Sequence, residues 1–292
     1  MKPFCFLLLA CALSFALKAQ QPSLLVTPQW VSEHRTDPNL VVLQVNFLKY
    51  DYDQEHIAGA RHLWTGWLAP DSPAGSFNQP TAEQATEVLQ SLGVNQNSTI
   101  VLCHVRNEVS ATARMFLTLE DLGLRGRVLF LNGGLEAWKK AGYPVTNEVP
   151  VAERGNIKVK PGGLLVDKQY VLDALKSDRK VVVDARMKIY YDGEPTGNPR
   201  DGHITGAKNI PYPDLLDATQ LYRFKTTAEL ESLFAPVVPD KSKEIVTYCF
   251  IGQTASVVYM AGRLLGYQVK LYDGSLQEWS RLPELPMEKT VK

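Results

Sequence analysis

Glu244-Ile245-Val246-Thr247-Tyr248-Cys249-Phe250-Ile251-Gly252-Gln253-Thr254-Ala255 is the stretch that decides the fold. Its first five residues are short, largely apolar and bounded by loops, as a buried parallel strand is. Residues 255–265 are small and apolar, the pattern of a helix that ends near Gly266. A strand, a tight loop and a helix therefore follow one another with Cys249 at the hinge. The loop amides are not consumed by a sheet, and Gly252 permits a backbone that other residues resist. Loop and helix N-terminus then converge on the Cys249 sulfur and favour the thiolate. The plainer reading makes Cys249 a small buried apolar residue at the end of a strand.

Working outward, residues 181–184 and 269–272 read as further strands and 276–279 as the start of a helix. Thr226-Thr227-Ala228-Glu229 has capping-box spacing ahead of Leu230, Leu233 and Phe234. This alternation predicts an α/β fold, a parallel sheet flanked by helices, with sites at the C-terminal ends of strands. The pattern occurs twice. Residues 41–46, 56–60, 81–83, 100–102 and 132–138 reappear in the same order as 181–186, 203–207, 227–229, 245–247 and 273–279. A single offset of roughly 145 is a domain duplication, since solenoid periods run to only about 50 residues. The expected organisation is one domain over residues 22–148 and a second over 160–292, joined through a charged, polar stretch around 147–161.

The chain has 292 residues, of which 45% are apolar and 21% charged, which excludes disordered and fibrous classes. Its 31 basic residues balance 31 acidic ones, so bulk electrostatic binding to nucleic acid is not expected. Lys2, the apolar run over residues 4–17 and Ala19 before Gln20 have the form of a secretory signal peptide over residues 1–19. An uncleaved anchor, or a lipoprotein signal ending at Cys11, is the alternative. No later stretch is long enough to span a bilayer. The expected protein is exported, and periplasmic if the source is Gram-negative. Signal removal takes Cys5 and Cys11 with it and leaves Cys103 and Cys249, between which the sequence leaves a disulfide open. Two cysteines and scattered histidines offer no metal-ligand spacing.

The duplication, the blocks His203-Ile204-Thr205-Gly206-Ala207 and Tyr272-Asp273-Gly274-Ser275, and the Cys249 loop ahead of its helix together resemble the rhodanese family. More narrowly, they resemble the tandem-domain sulfurtransferases that use thiosulfate or 3-mercaptopyruvate. The resemblance covers nearly the whole chain after the signal. It implies two rhodanese-like domains, with the active cysteine, Cys249, in the second. It implies transfer of a sulfane sulfur through a Cys249 persulfide, from a small anionic donor to cyanide or a thiol, without a cofactor. Thiosulfate is the first expectation for the donor and 3-mercaptopyruvate the second. The chemistry of the residues agrees, since loop amides that stabilise a thiolate also stabilise a terminal persulfide anion.

An anionic donor calls for a fixed cation. Arg186, just past the end of a strand, is the candidate, with Asp184 orienting it. Phe250, Ile251, Gly252, Gln253 and Thr254 are the expected loop contacts, Gln253 and Thr254 being the polar ones. His203 and Asp273 are read as orienting or structural, and Trp279 and the Tyr190-Tyr191 pair as packing. Thiosulfate enzymes of the family commonly carry a basic residue after the cysteine, and mercaptopyruvate enzymes a Gly-Ser. Phe250 and Ile251 are neither, so the loop does not assign the donor.

The first repeat supplies an internal control. With each block aligned on its own match, His104 stands at the Cys249 position, Cys103 at Tyr248, Gln44 at Asp184 and Asn46 at Arg186. All three candidate positions lose their chemistry together, which reads as a supporting domain that helps enclose a cleft. A phosphatase on the same framework needs a closing Arg, where Ala255 and Ser256 stand. A cysteine protease needs a His placed to pair with Cys249. The non-catalytic alternative is an exported persulfide carrier that accepts sulfur and passes it to a partner.

Overall fold

The Thr226 hydroxyl accepts the Glu229 amide at 3.3 Å, and the Glu229 carboxylate takes the Thr226 amide at 2.9 Å. This reciprocal cap starts a helix over Thr227–Phe234. Thr81 and Gln84 build the same cap in the first repeat, at the head of Ala82–Ser91. The computed structural model that carries these elements describes residues 23–290 apart from residue 74, so the expected signal segment lies outside the described residues.

Ten strands form two five-stranded sheets. The first holds β1 (Leu25–Val26), β2 (Leu40–Asn46), β3 (Arg61–Trp64), β4 (Thr99–His104) and β5 (Val128–Leu131), in the order β1-β5-β4-β2-β3. The second holds β6 (Leu165–Val166), β7 (Lys180–Asp184), β8 (Lys208–Asn209), β9 (Glu244–Tyr248) and β10 (Gln268–Tyr272), in the order β6-β10-β9-β7-β8. All neighbouring strands in both sheets are parallel. The two orders are the same topology, so the expected pair of duplicated α/β domains is what the chain folds into. Register fixes the equivalences between them. Gln44 pairs with Cys103 across β2 and β4, as Asp184 pairs with Tyr248 across β7 and β9.

Each sheet is covered on both faces, as parallel strands require. Val101, Cys103, Leu129 and Trp138 pack one face of the first sheet, and Val182, Val246, Tyr248 and Trp279 one face of the second. The other two faces share a single apolar cluster, which includes Phe116 and Leu117 from α1 (Val109–Leu119) and Val257 and Val258 from α2 (Ala255–Leu264). These helices lie side by side in the same direction. Ser110 meets Gln253 near their starts, and Glu120 meets Tyr259 and Arg263 near their ends. The loop that precedes α2 is thereby pressed against the first repeat. No helix among the described residues is long and apolar enough to cross a membrane.

Candidate active site

Cys249 follows β9, and its sulfur-bearing residue is buried. Its amide donates to Ser275 Oγ at 3.3 Å, and Ser275 Oγ donates onward to the Tyr272 carbonyl at 3.0 Å. Five residues, Phe250 to Thr254, separate it from α2. The carbonyls around this loop are tied outward. Cys249 O accepts from Leu276 N, Phe250 O from Gln277 N, Gly252 O from Ser256 Oγ, and Gln253 O from Ser256 N, at 2.9–3.2 Å. None of the hydrogen bonds among the described residues uses the amide of Phe250, Ile251, Gly252, Gln253 or Thr254. The loop is therefore polarised, with its carbonyls other than that of Ile251 committed and its donors free, and the helix behind it has no side-chain cap. Such a run of free amides ahead of a helix is an anion-binding concavity. Gly252 makes the turn at φ +81, a left-handed backbone that a side chain would strain.

Arg186 and Asp184 are both buried, at 2% and 0% exposure. Asp184 takes Arg186 Nε at 3.0 Å, Nη2 at 2.6 Å and the Arg186 amide at 2.9 Å. Arg186 Nη2 also donates to Gly202 O at 2.7 Å. The guanidinium carbon lies 4.9 Å from the centre of the Phe250 ring, which Tyr190 meets edge-on. Nη1 takes part in none of these bonds, which leaves it as the nitrogen available to a ligand. Burial pulls the Arg186 guanidinium down, but the Asp184 carboxylate more than offsets this and holds Arg186 above its usual value. A negative charge on Cys249 acts in the same direction, as it does on Tyr212, whose phenol burial and that charge push up.

The remaining sequence candidates sort differently. His203 is buried, bonded through Nδ1 to Tyr191 O at 2.7 Å and through Nε2 to Glu288 at 3.2 Å, and stacked on Tyr191. It belongs to a two-stranded antiparallel pairing, opposite Glu288, and none of its hydrogen bonds goes to the loop. Asp273 holds more than its own loop, because it accepts Arg114 Nη2 at 2.6 Å and the Gln79 amide at 2.9 Å, both from the first repeat. Gln253 reaches across as well, its Nε2 donating to Ser110 Oγ at 3.0 Å, so its amide group is committed to the other repeat. Thr254 makes no side-chain cap, and Ile251 stays half-buried beside Gly252. An inter-repeat cavity of about 130 Å³, lined by Ser110, Tyr212, Leu216 and Tyr222, adjoins this contact.

Sequence reasoning missed Ser275. It sits at φ +49, where the first repeat has Gly134 at φ +57. The repeat alignment carried the signal, since Asn132-Gly133-Gly134 answers Asp273-Gly274-Ser275 and a serine replaces the glycine that the turn prefers. A Cβ on Gly134 would come within 2.2 Å of the His104 carbonyl, so the first repeat has no room for that hydroxyl.

The first repeat's counterpart loop is one residue shorter. Val105 to Glu108 separate His104 from α1, and Glu108 N closes on Val105 O at 3.0 Å. Cys103 and Cys249 are both free thiols, which closes the disulfide alternative. Cys103 points into the core on the far face of the first sheet, where burial and then the Glu136 carboxylate push its thiol well above the usual range. Burial pushes the His104 imidazole down to about 4. A histidine held neutral in the fold gives stability that is present above its unfolded value of 6.5 and is lost as pH falls toward 4. Over that interval the native state should lose about 3 kcal/mol from this group. Urea unfolding of His104→Gln should be correspondingly less acid-sensitive; identical pH dependence of the two proteins would refute the assignment.

The rhodanese-like domain family matches residues 27–141 and again 167–282. The sulfur carrier protein TtuD of Thermus thermophilus is 33% identical over 92% of this chain and 97% of its own length. The thiosulfate sulfurtransferase of Azotobacter vinelandii is 29% identical over 91% of this chain and 97% of its own. The 3-mercaptopyruvate sulfurtransferase of Escherichia coli K12 is also 29% identical, over 90% and 97%. Among solved structures, that of EanB superposes with a TM-score of 0.80 over 92% of this chain and 69% of that one, at 22% identity, a likeness of fold.

Proposed function

This chain belongs to the rhodanese-like family, whose domain it carries twice, and from that premise we propose that it is a sulfurtransferase working through a persulfide on Cys249. The observation that carries the reading is the polarised loop, five free amides around a cysteine at the head of an uncapped helix. The Cys249 thiolate attacks the outer sulfur of the donor. The bond from that sulfur to the rest of the donor breaks, and sulfite or pyruvate departs with the electron pair. The terminal anion of Cys249–S–S⁻ is then held by the loop amides. Attack by cyanide or a thiolate on that terminal sulfur returns the Cys249 thiolate, so turnover is ping-pong. Arg186 is the residue proposed to steer the anionic end of the donor through Nη1, with Asp184 fixing its fork.

Thiosulfate and 3-mercaptopyruvate are the donors to compare on the purified chain. Intact mass should rise by one sulfur atom with at least one of them and return on adding cyanide. No cyanide-labile adduct with either donor would sink the reading. A second reading, a carrier that hands its persulfide to a protein partner, draws support from the Thermus relative, a sulfur carrier protein. A protein that loads sulfur yet turns over cyanide with negligible steady-state rate would favour the carrier. Export through the N-terminal apolar segment is part of the proposal, tested by N-terminal sequencing of the protein recovered from the cell envelope fraction.

A further inference from the structure

Arg114, on α1 of the first repeat, has a fully buried side chain. Its neighbours on the helix, Ala113, Met115, Phe116 and Leu117, are buried and apolar. Of its three guanidinium nitrogens, Nη2 is bonded to Asp273 and the other two, Nε and Nη1, have no hydrogen-bond partner. Nη1 lies against Gly252 of the Cys249 loop, 2.8 Å from where a Cβ on that glycine would stand. Burying a guanidinium with two nitrogens unpaired is unfavourable, and an apolar residue would pack α1 against α2 without that cost. Its partner Asp273 is 21% exposed, so water screens the anion more than the cation. The less screened, positive end of the pair therefore faces the loop.

We propose that Arg114 is a positioning residue of the Cys249 site: a cation supplied by the first repeat beneath the second repeat's loop, which favours negative charge on the cysteine sulfur. The inference rests on the proposed persulfide chemistry for its biological meaning, but its physical content is the electrostatics of one thiol. The charged and titratable groups placed around Cys249 and its loop are Arg186 and Asp184 from the end of β7, Tyr212, Arg114 from α1 and Asp273 from the turn after β10. Of these, Arg114 alone belongs to the first repeat. It gives the repeat without the cysteine a part in the chemistry, and it makes the two domains one functional unit.

The test is the pH profile of Cys249 alkylation by iodoacetamide in the full-length mature chain carrying Cys103→Ser. Arg114→Met should move the profile toward higher pH and slow alkylation at neutral pH by about tenfold, the factor that one pH unit represents. Arg114→Lys, which keeps the charge, should restore most of the rate. A role confined to clamping the domains would lower thermal stability in Arg114→Met and leave the profile where it is, which would overturn the proposal. Should Arg114→Met not fold, Asp273→Asn decides the matter. It leaves the guanidinium in place without its counter-charge, so alkylation should be at least as fast as in the parent, and slower alkylation would overturn the proposal. Alkylation needs no sulfur donor. A chain that shows the shift but never loads sulfur would therefore refute the transferase reading and retain this one.

Discussion

Cys249→Ser will load no sulfur from any donor, whereas Cys103→Ser will load it at nearly the parental rate. Persulfide formation needs a thiolate as nucleophile, and a serine hydroxyl, of far higher pKa, supplies neither the anion nor the sulfur–sulfur bond. The loss should be complete within the background of the assay. The two cysteines are buried alike, at 1% and 0% exposure, so accessibility alone does not separate them. Their surroundings do. Cys249 stands before five free amides, while Cys103 packs among Val101, Leu129 and Trp138 and its thiol is pushed up by burial. Cys103→Ser places a hydroxyl in that apolar cluster and should cost about 1–3 kcal/mol of stability. Intact mass after donor treatment and urea unfolding check both halves. A Cys103→Ser variant that is folded but cannot load sulfur would reverse the assignment of the two repeats.

Arg186→Ala should be the most damaging single change outside the cysteine, on two separate scales. Stability should fall by about 3–5 kcal/mol, because Asp184 is left as a buried carboxylate without its cation. The donor half-reaction should slow by roughly tenfold to a hundredfold, the worth of one charge-assisted contact of about 1.5–3 kcal/mol to an anionic substrate. The double variant Asp184→Asn/Arg186→Met separates the effects. Removing both charges relieves the buried carboxylate, so stability should recover much of its loss while loading from an anionic donor stays slow. Acceptor attack on preloaded persulfide should change far less. If the double variant loads sulfur at the parental rate, Arg186 is a structural residue and the donor's anionic end is held elsewhere.

The alignment of the two repeats shows how far reading the sequence carries. It places Cys103 at the position of Tyr248, one residue before the His104 and Cys249 positions, and Gln44 at that of Asp184, and strand register gives the same pairs. The capping box at Thr226 and Glu229 and the parallel strands are equally legible, because hydrophobic periodicity and end caps act within a few residues. The turn at Ser275 was legible in principle, since a serine answers a glycine there, yet its bond to the Cys249 amide joins residues 26 apart.

What the sequence by itself determined is therefore the duplicated α/β architecture, the cysteine at the end of a central strand and the loop ahead of its helix, all fixed by short-range patterns. What only the tertiary structure decided is the junction of the repeats: Arg114 under Gly252, Gln79 and Arg114 on Asp273, and Gln253 turned to Ser110. Arg114 and Asp273 stand 159 residues apart, and nothing local in either marks the other. They meet because α1 and α2 bury their apolar faces side by side, and hydrophobic burial is non-directional, so it records no partner in the sequence.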